Sequence, residues 1–500
     1  MVALELGTVV LLLAWVQAAT ITSNTMQPVR GIGASGAWWV NDLALFPAEV
    51  RQQVSDMLLN QTSDDGIGLT DYRYNLGGGG VGVKEWDRVH ETPYLSDREY
   101  DWEADEAGTF FLREAARHGV PYITLFVNSA PPAFTTNGKS CGGNLKIDRI
   151  LAFAQYIADV ISYWKSEGVQ ITHVSPLNEP DNAFWACWQE GMAVYPIAQR
   201  GKVMLAVAKA LEDAGLNTKV IGDESSMIWE VYGEAPLWLD REVGAVLDGI
   251  ATHQYAFVNG RIRRNMVDLT KRLSGGTPGW ATEVCCYKPS RESYANDPLS
   301  GISYGPYYDP TMVSGLRMAK FIFEALGEAG EEHWDWWLAL SPQLGSCEPA
   351  EDPYCAEEIQ HDGWDDGLIY YDPYYQDTKF YGLHLTKRYW VLRHFTKAAP
   401  AGAVVREVLM ASKGPETKWR VIAFDYPERG TLYSIVAMNA QDTWSSLHLQ
   451  GDDKFVFTTP KKVYCTHAEE NWAEVDAVSL AADSSVDLHA PGLSIVTLFF

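Results

Sequence analysis

From about residue 29 to residue 395 the chain alternates short apolar runs with longer amphipathic ones, and this alternation constrains the fold more than any other feature. The apolar runs lie at 31–37, 70–75, 122–128, 172–177, 220–223, 250–254, 279–283 and 333–340. Their length and composition read as strands. Between them, stretches such as 48–59, 150–166, 197–214 and 312–329 repeat apolar residues at helical spacing. Eight βα alternations predict an α/β fold, a parallel sheet closed into a (β/α)8 TIM barrel over residues 31–400. A chain of 500 residues has room for that barrel and a smaller domain.

An open doubly wound sheet would alternate in the same way. Gly77, Gly79 and Gly82 even satisfy the G-x-G-x-x-G spacing after a strand. That fingerprint needs a helix to receive a pyrophosphate. Residues 83–93 do not read as a helix, so the glycines are expected to form a tight loop where backbone approaches the cleft floor.

After residue 400 the helical spacing stops. Short alternating runs at 421–424, 432–439, 446–449, 455–458, 462–466, 477–481 and 493–500 are separated by Gly, Pro, Asp and Asn turns. They predict a β-sandwich over 401–500, with residues 19–30 as a strand joining it. A packing buttress is the plainer role for this domain; a carbohydrate-binding module is the sharper one.

Residues 7–18 form an apolar run ending in the small residues Val16 and Ala18, which predicts a signal peptide over 1–18 and a secreted, extracellular protein. No later run reaches the roughly 18–20 apolar residues of a membrane span. Seven cysteines fit an oxidising compartment. Cys141 with Cys187 and Cys347 with Cys355 are candidate pairs. Cys285 and Cys286 read as adjacent half-cystines, buried thiols or a reactive thiol. Metal ligation is the alternative, but no CxxC or HExxH spacing supports it. Asn60-Gln-Thr62 is a glycosylation sequon. A net charge of -26 argues against nucleic acid or an anionic membrane as partner. A monomer without metal or other cofactor is expected.

Two glutamates carry the chemistry. Glu179 follows the fourth predicted strand and Glu283 ends the seventh; they lie 104 residues apart, which equals three βα units of roughly 35 residues. Carboxylates at the C-terminal ends of barrel strands read as catalytic. Glycoside hydrolysis needs such a pair, one as acid and one as nucleophile or base. Pro180 ends the strand after Glu179, which is assigned the acid/base role and expected to carry a raised pKa. Arg73 and Tyr255 are expected to donate to Glu283, keep it ionised and fit it as nucleophile. Glu224 is the competing carboxylate, read as a substrate contact or a loop cap. Trp38, Trp39, Arg73, Asn75, Asn128, Asn178, His253, Tyr255 and Trp337 complete the predicted substrate-binding and supporting set. The acidic, aromatic stretch 343–377, with Tyr370, Tyr371, Tyr374 and Tyr375, is expected to wall the cleft, as is the aromatic run 184–188.

The runs Gly31-Ile-Gly-Ala-Ser-Gly-Ala-Trp-Trp39, Tyr72-Arg-Tyr-Asn-Leu-Gly-Gly-Gly-Gly-Val-Gly-Val83, Asn128-Ser-Ala-Pro131, Ser175-Pro-Leu-Asn-Glu-Pro-Asp-Asn182, Gly222-Asp-Glu-Ser-Ser226 and Thr282-Glu-Val-Cys-Cys286 resemble glycoside hydrolase family 30. They look closest to its fungal endo-β-1,6-galactanase branch. The resemblance spans residue 29 to the C-terminus, and the 72–83 run is its most branch-specific element. It implies a barrel fused to a β-sandwich and a retaining double displacement. It also implies acid/base at Glu179, nucleophile at Glu283 and β-1,6-galactan of arabinogalactan side chains as substrate. The same machinery acting on β-1,6-glucan or xylan, and a non-catalytic glycan-binding protein, are the alternatives.

Overall fold

The computed structural model describes residues 17–500 except 183, 412–417, 428–432 and 482–483. Most of the expected signal segment, residues 1–16, lies outside the described residues. Gln17 and Ala18 already belong to a strand, Gln17–Pro28.

Eight parallel strands close into a barrel: Gly31–Gly36, Asp71–Leu76, Tyr122–Val127, His173–Ser175, Lys219–Ser225, Leu247–His253, Gly279–Glu283 and His333–Leu338. Each pairs with its sequence neighbours, and the eighth closes on the first through Trp334–Ile32 and Asp335–Gly33. Both faces of these strands are covered, so they read as continuous apolar runs rather than alternating ones. The interior side chains of neighbouring strands must fit together. A Cβ at Gly33 would lie 2.4 Å from Asp335 Oδ1, and one at Gly36 would lie 1.8 Å from the Tyr72 hydroxyl. The glycine-rich first strand thus makes room for bulky partners beside it.

Helices Ala48–Leu59 and Ile150–Ser166 fall on the stretches whose spacing predicts them. Ile157, Ile161 and Trp164 of the second recur at helical spacing and bury against the barrel. Each such side chain contributes about 1.5–3 kcal/mol by leaving water. The stretch 312–329 is not one uniform helix. It is α-helical over Met312–Ile322 and continues as a π-helix over Phe323–Ala329.

A ten-stranded sheet forms the remainder and encloses a second core that includes Ile21, Trp419, Ile435, Leu447, Leu488 and Val496. Gln17–Pro28 is an interior strand of it, antiparallel to Val404–Met410 and parallel to Ser445–Gly451. Val404–Met410 and Val486–Ala490 are strands that the alternation did not single out. The expected strand at 455–458 is irregular chain instead. Its Phe455 and Phe457 turn inward and pack with Tyr433, itself stacked on Phe500. Apolar content there reflects a side-chain cluster rather than a backbone ladder. Helix Lys387–Ala398 joins the two parts: His394 is buried and bonds Thr497 Oγ1 at 2.7 Å and Thr466 Oγ1 at 2.9 Å.

The glycine run holds a carboxylate. Gly78 and Gly80 N–H groups donate to Glu190 at 2.7–3.1 Å. Glu190 is fully buried, and burial pushes its carboxyl up to about 8 despite those donors. Gly79 and Gly80 have φ of 86° and 67°, and the Gly79 N–H between the two donors turns instead to the His90 carbonyl at 2.9 Å.

Candidate active site

The C-terminal ends of the strands surround a cavity of about 340 Å³. Glu283 is the last residue of the seventh strand, and Glu179 lies four residues beyond the fourth. A carboxylate oxygen of each, with a ring nitrogen of His253, all lie within 4.8 Å of one another. Several residues here adopt left-handed backbone: Trp38 (φ 58°), Glu179 (φ 43°), Glu224 (φ 64°) and Cys286 (φ 64°). Each costs of order 1–3 kcal/mol and persists because its surroundings hold it. The Glu179 N–H, for example, donates to the Glu224 carbonyl at 3.0 Å.

Glu283 is gripped from both sides. Arg73 Nη1 donates to Oε2 at 2.6 Å and the Tyr255 hydroxyl donates to Oε1 at 2.7 Å. Arg73 is wholly buried, lies over the Phe126 ring, and also donates to Asn178 Oδ1 at 3.1 Å. Asn178 in turn donates to Asn128 Oδ1 at 3.2 Å. The expected lowering of the Glu283 pKa is not what the structure gives. Burial pushes the carboxyl up and Glu179 adds to that, while His253, Arg73 and Tyr255 oppose it without reversing it. Depth in the barrel mouth therefore outweighs three polar partners.

His253 sits behind the pair. Its Nδ1–H donates to Glu179 Oε1 and its Nε2–H to Glu224 Oε2, both at 3.0 Å. Burial pulls its pKa down, but Glu283, Glu179 and Glu224 together raise it to about 10. Glu224 is no substrate contact. It is fully buried, bonded also by Thr282 Oγ1 and 3.5 Å from Arg73. Although burial opposes it, Arg73 and His253 hold its carboxyl down at about 2. It is the fixed anion behind the site.

The sequence-predicted residues fall at different depths. Trp38, Asn178, Glu179, Tyr255, Glu283 and Trp337 line the cavity. Arg73, Asn128 and His253 lie behind that wall and act through it. Asn75 is buried with both amide atoms unpartnered, away from the cavity lining. Trp39 belongs to the core, bonded to the Ser35 carbonyl and packed edge-on against Phe111. Of the stretch 343–377, Trp364 and Asp366 reach the cavity. Tyr370, Tyr371 and Tyr375 are buried and anchor that stretch, through Arg388 and Asp42 among others. Phe184 lines the cavity while Trp185 and Trp188 stand exposed beside it, tethered by the Cys141–Cys187 disulfide. Sequence reasoning missed Arg88, Tyr304 and the paired Cys285–Cys286 as lining groups. Only the adjacency of the two cysteines signalled them.

Two triads among the described residues gather enough donors for a cation. In the triad of Glu179, His253 and Glu283 the imidazole nitrogens are already engaged by carboxylates. Asp71, His333 and Asp335 form the other inside the barrel, where His333 stacks on Trp280.

Residues 16–254 match the family model described as O-Glycosyl hydrolase family 30. Glucuronoxylanase XynC of Bacillus subtilis is 24% identical over 231 residues, covering 45% of this chain and 47% of that protein. An exo-beta-1,6-galactobiohydrolase of Bifidobacterium longum is 30% identical over 132 residues, 24% of this chain and 8% of that protein. The chain spans less than half the length of these curated relatives. Among solved structures, the catalytic domain of GH30 xylanase C from Talaromyces cellulolyticus superposes with a TM-score of 0.68 at 18% identity. That match covers 96% of this chain and 99% of the other, and shows the shared fold. Residues 16–254 are thus similar to glycoside hydrolases of family 30, and the whole chain shares their fold.

Proposed function

We propose that the chain is a secreted, retaining endo-glycosidase that cleaves β-1,6-galactan, with Glu283 as nucleophile and Glu179 as acid/base. The observation that carries this reading is the approach of the two carboxylates to within 4.8 Å. Retaining enzymes hold their carboxyl groups about 5–5.5 Å apart, whereas inverting ones leave room for a water between them at about 6.5–9.5 Å. In the first step a Glu283 oxygen attacks the anomeric carbon while Glu179 gives its proton to the departing oxygen. In the second, Glu179 takes a proton from water, which attacks the same carbon and releases Glu283. Arg73 and Tyr255 keep the Glu283 oxygens aimed through both steps. The positive His253 faces both carboxylates and offsets the negative charge that passes from one to the other. Aromatic walls at Trp38 and Trp337 suit the C–H faces of a sugar.

Support for galactan comes from the 72–83 motif and from the similarity to the Bifidobacterium exo-beta-1,6-galactobiohydrolase. Xylan is the second reading, favoured by the similarity to the Bacillus glucuronoxylanase. Incubation with dearabinosylated arabinogalactan, xylan and β-1,6-glucan separates them. A ladder of β-1,6-galacto-oligosaccharides is expected; products from xylan or glucan alone would overturn the substrate, and a single small product would overturn endo action.

A further inference from the structure

The disulfide between the adjacent Cys285 and Cys286 lines the cavity two residues beyond Glu283. Neither role described so far uses it. Both residues are nearly inaccessible, 1% and 6% exposed, so the ring they close sits within the wall. Cys285 Sγ lies 3.7 Å from the Tyr255 hydroxyl, the group that holds Glu283 Oε1. Cys286 is fixed from both sides: its N–H donates to the Asp365 carbonyl at 2.9 Å and its carbonyl accepts from Gly305 N–H at 3.0 Å. Gly305 follows the hairpin of Tyr287–Pro289 and Ile302–Tyr304, whose Tyr304 also lines the cavity. Tyr304 meets Tyr255 edge-on at 5.8 Å. The pair therefore belongs to the same wall as the nucleophile's hydroxyl partner and the hairpin tyrosine.

We propose that the Cys285–Cys286 disulfide is a specificity-determining platform, against which the apolar face of the sugar bound at Glu283 packs. Two free thiols would rotate and carry S–H donors, whereas the closed ring has neither freedom nor donor. It offers polarisable sulfur, which makes favourable contact with C–H groups. It also costs little to order on binding, because it is already fixed. Galactose suits such a surface: its axial O4 leaves neighbouring ring hydrogens gathered on one face. This choice of sugar rests on the galactanase reading; the platform itself does not.

The wild-type enzyme is first assayed on β-1,6-galactan, β-1,6-glucan and xylan, and the Cys285→Ala/Cys286→Ala variant is then compared on whichever glycan is cleaved. Cleavage of glucan or xylan alone overturns the galactan reading and leaves the platform to be judged on that glycan. A KM raised about fivefold or more, with kcat and the pH profile little changed, is the expected result. Activity within twofold overturns the platform, as does a fall in kcat with a displaced pH profile at unchanged KM, which would make the pair a support for Glu283. Should the variant not fold, the unaltered enzyme supplies the test. Reductive alkylation of Cys285 and Cys286, followed by peptide mass spectrometry against Cys347–Cys355, is expected to slow when β-1,6-galactobiose or the cleaved glycan's own product is saturating. Equal rates with and without saccharide overturn the proposal.

Discussion

His253 stands 3.0 Å from Glu179, with its other ring nitrogen 3.0 Å from the buried Glu224. A protonated imidazole held between two carboxylates ties Glu179, the proposed acid/base, to a fixed anion in the barrel. His253→Gln keeps a donor but loses the charge. It is expected to lower kcat by about a hundredfold through misplacement of Glu179, read from steady-state kinetics.

The same imidazole sets a pH dependence of stability. Its folded pKa of about 10 lies above the ordinary value of 6.5, so between those values the folded state binds the extra proton. Its stabilising contribution is complete below pH 6.5 and is lost as pH rises through about 10. The melting temperature of the wild type should therefore fall between pH 7 and 10 more steeply than that of His253→Gln. Parallel curves for the two proteins would contradict this.

Glu224→Gln removes a charge that Arg73 and His253 both face from within the protein. Breaking a buried ion pair from one side costs about 3–5 kcal/mol. Denaturant unfolding should show a loss of that order, together with reduced activity from the loosened Arg73.

Glu179→Ala and Glu283→Ala should each lower kcat on polysaccharide by about a thousandfold or more. Azide distinguishes them. With an activated aryl β-glycoside, the Glu179 variant should yield the β-glycosyl azide and the Glu283 variant the α-azide, resolved by proton NMR.

Trp337→Ala removes a cavity wall whose ring meets Trp38 edge-on at 5.1 Å. A rise in KM of about tenfold is expected, since stacking on an aromatic face contributes of order a kcal/mol beyond area.

The barrel was legible because strand length, helix spacing and repeat length all agreed, down to Ala48–Leu59 and Gly279–Glu283. The positions of Glu179 and Glu283 followed from counting repeats. What the sequence could not show was depth. Arg73, Asn75 and His253 occupy strand positions like those of cavity-lining residues, yet barrel closure puts them out of reach. Trp38 and Trp39 are adjacent and chemically alike, but a left-handed turn at Trp38 sends one to the cleft and the other to the core. The Glu283 pKa failed for the same reason, because desolvation depends on how far the strand end is sunk. Tyr370, Tyr371 and Tyr375 read as a wall from composition alone; buried partners at Asp42 and Arg388, distant in sequence, make them anchors. At 455–458, alternation mimicked a strand because aromatic clustering produces the same pattern.

Covalent trapping tests the central claim most directly. Incubation with an activated 2-deoxy-2-fluoro-β-galactoside, followed by proteolysis and mass spectrometry of the labelled peptide, should place one glycosyl group on Glu283. Label on Glu179 or Glu224, or no covalent adduct with a galactoside, glucoside or xyloside that the enzyme turns over, would contradict double displacement through Glu283.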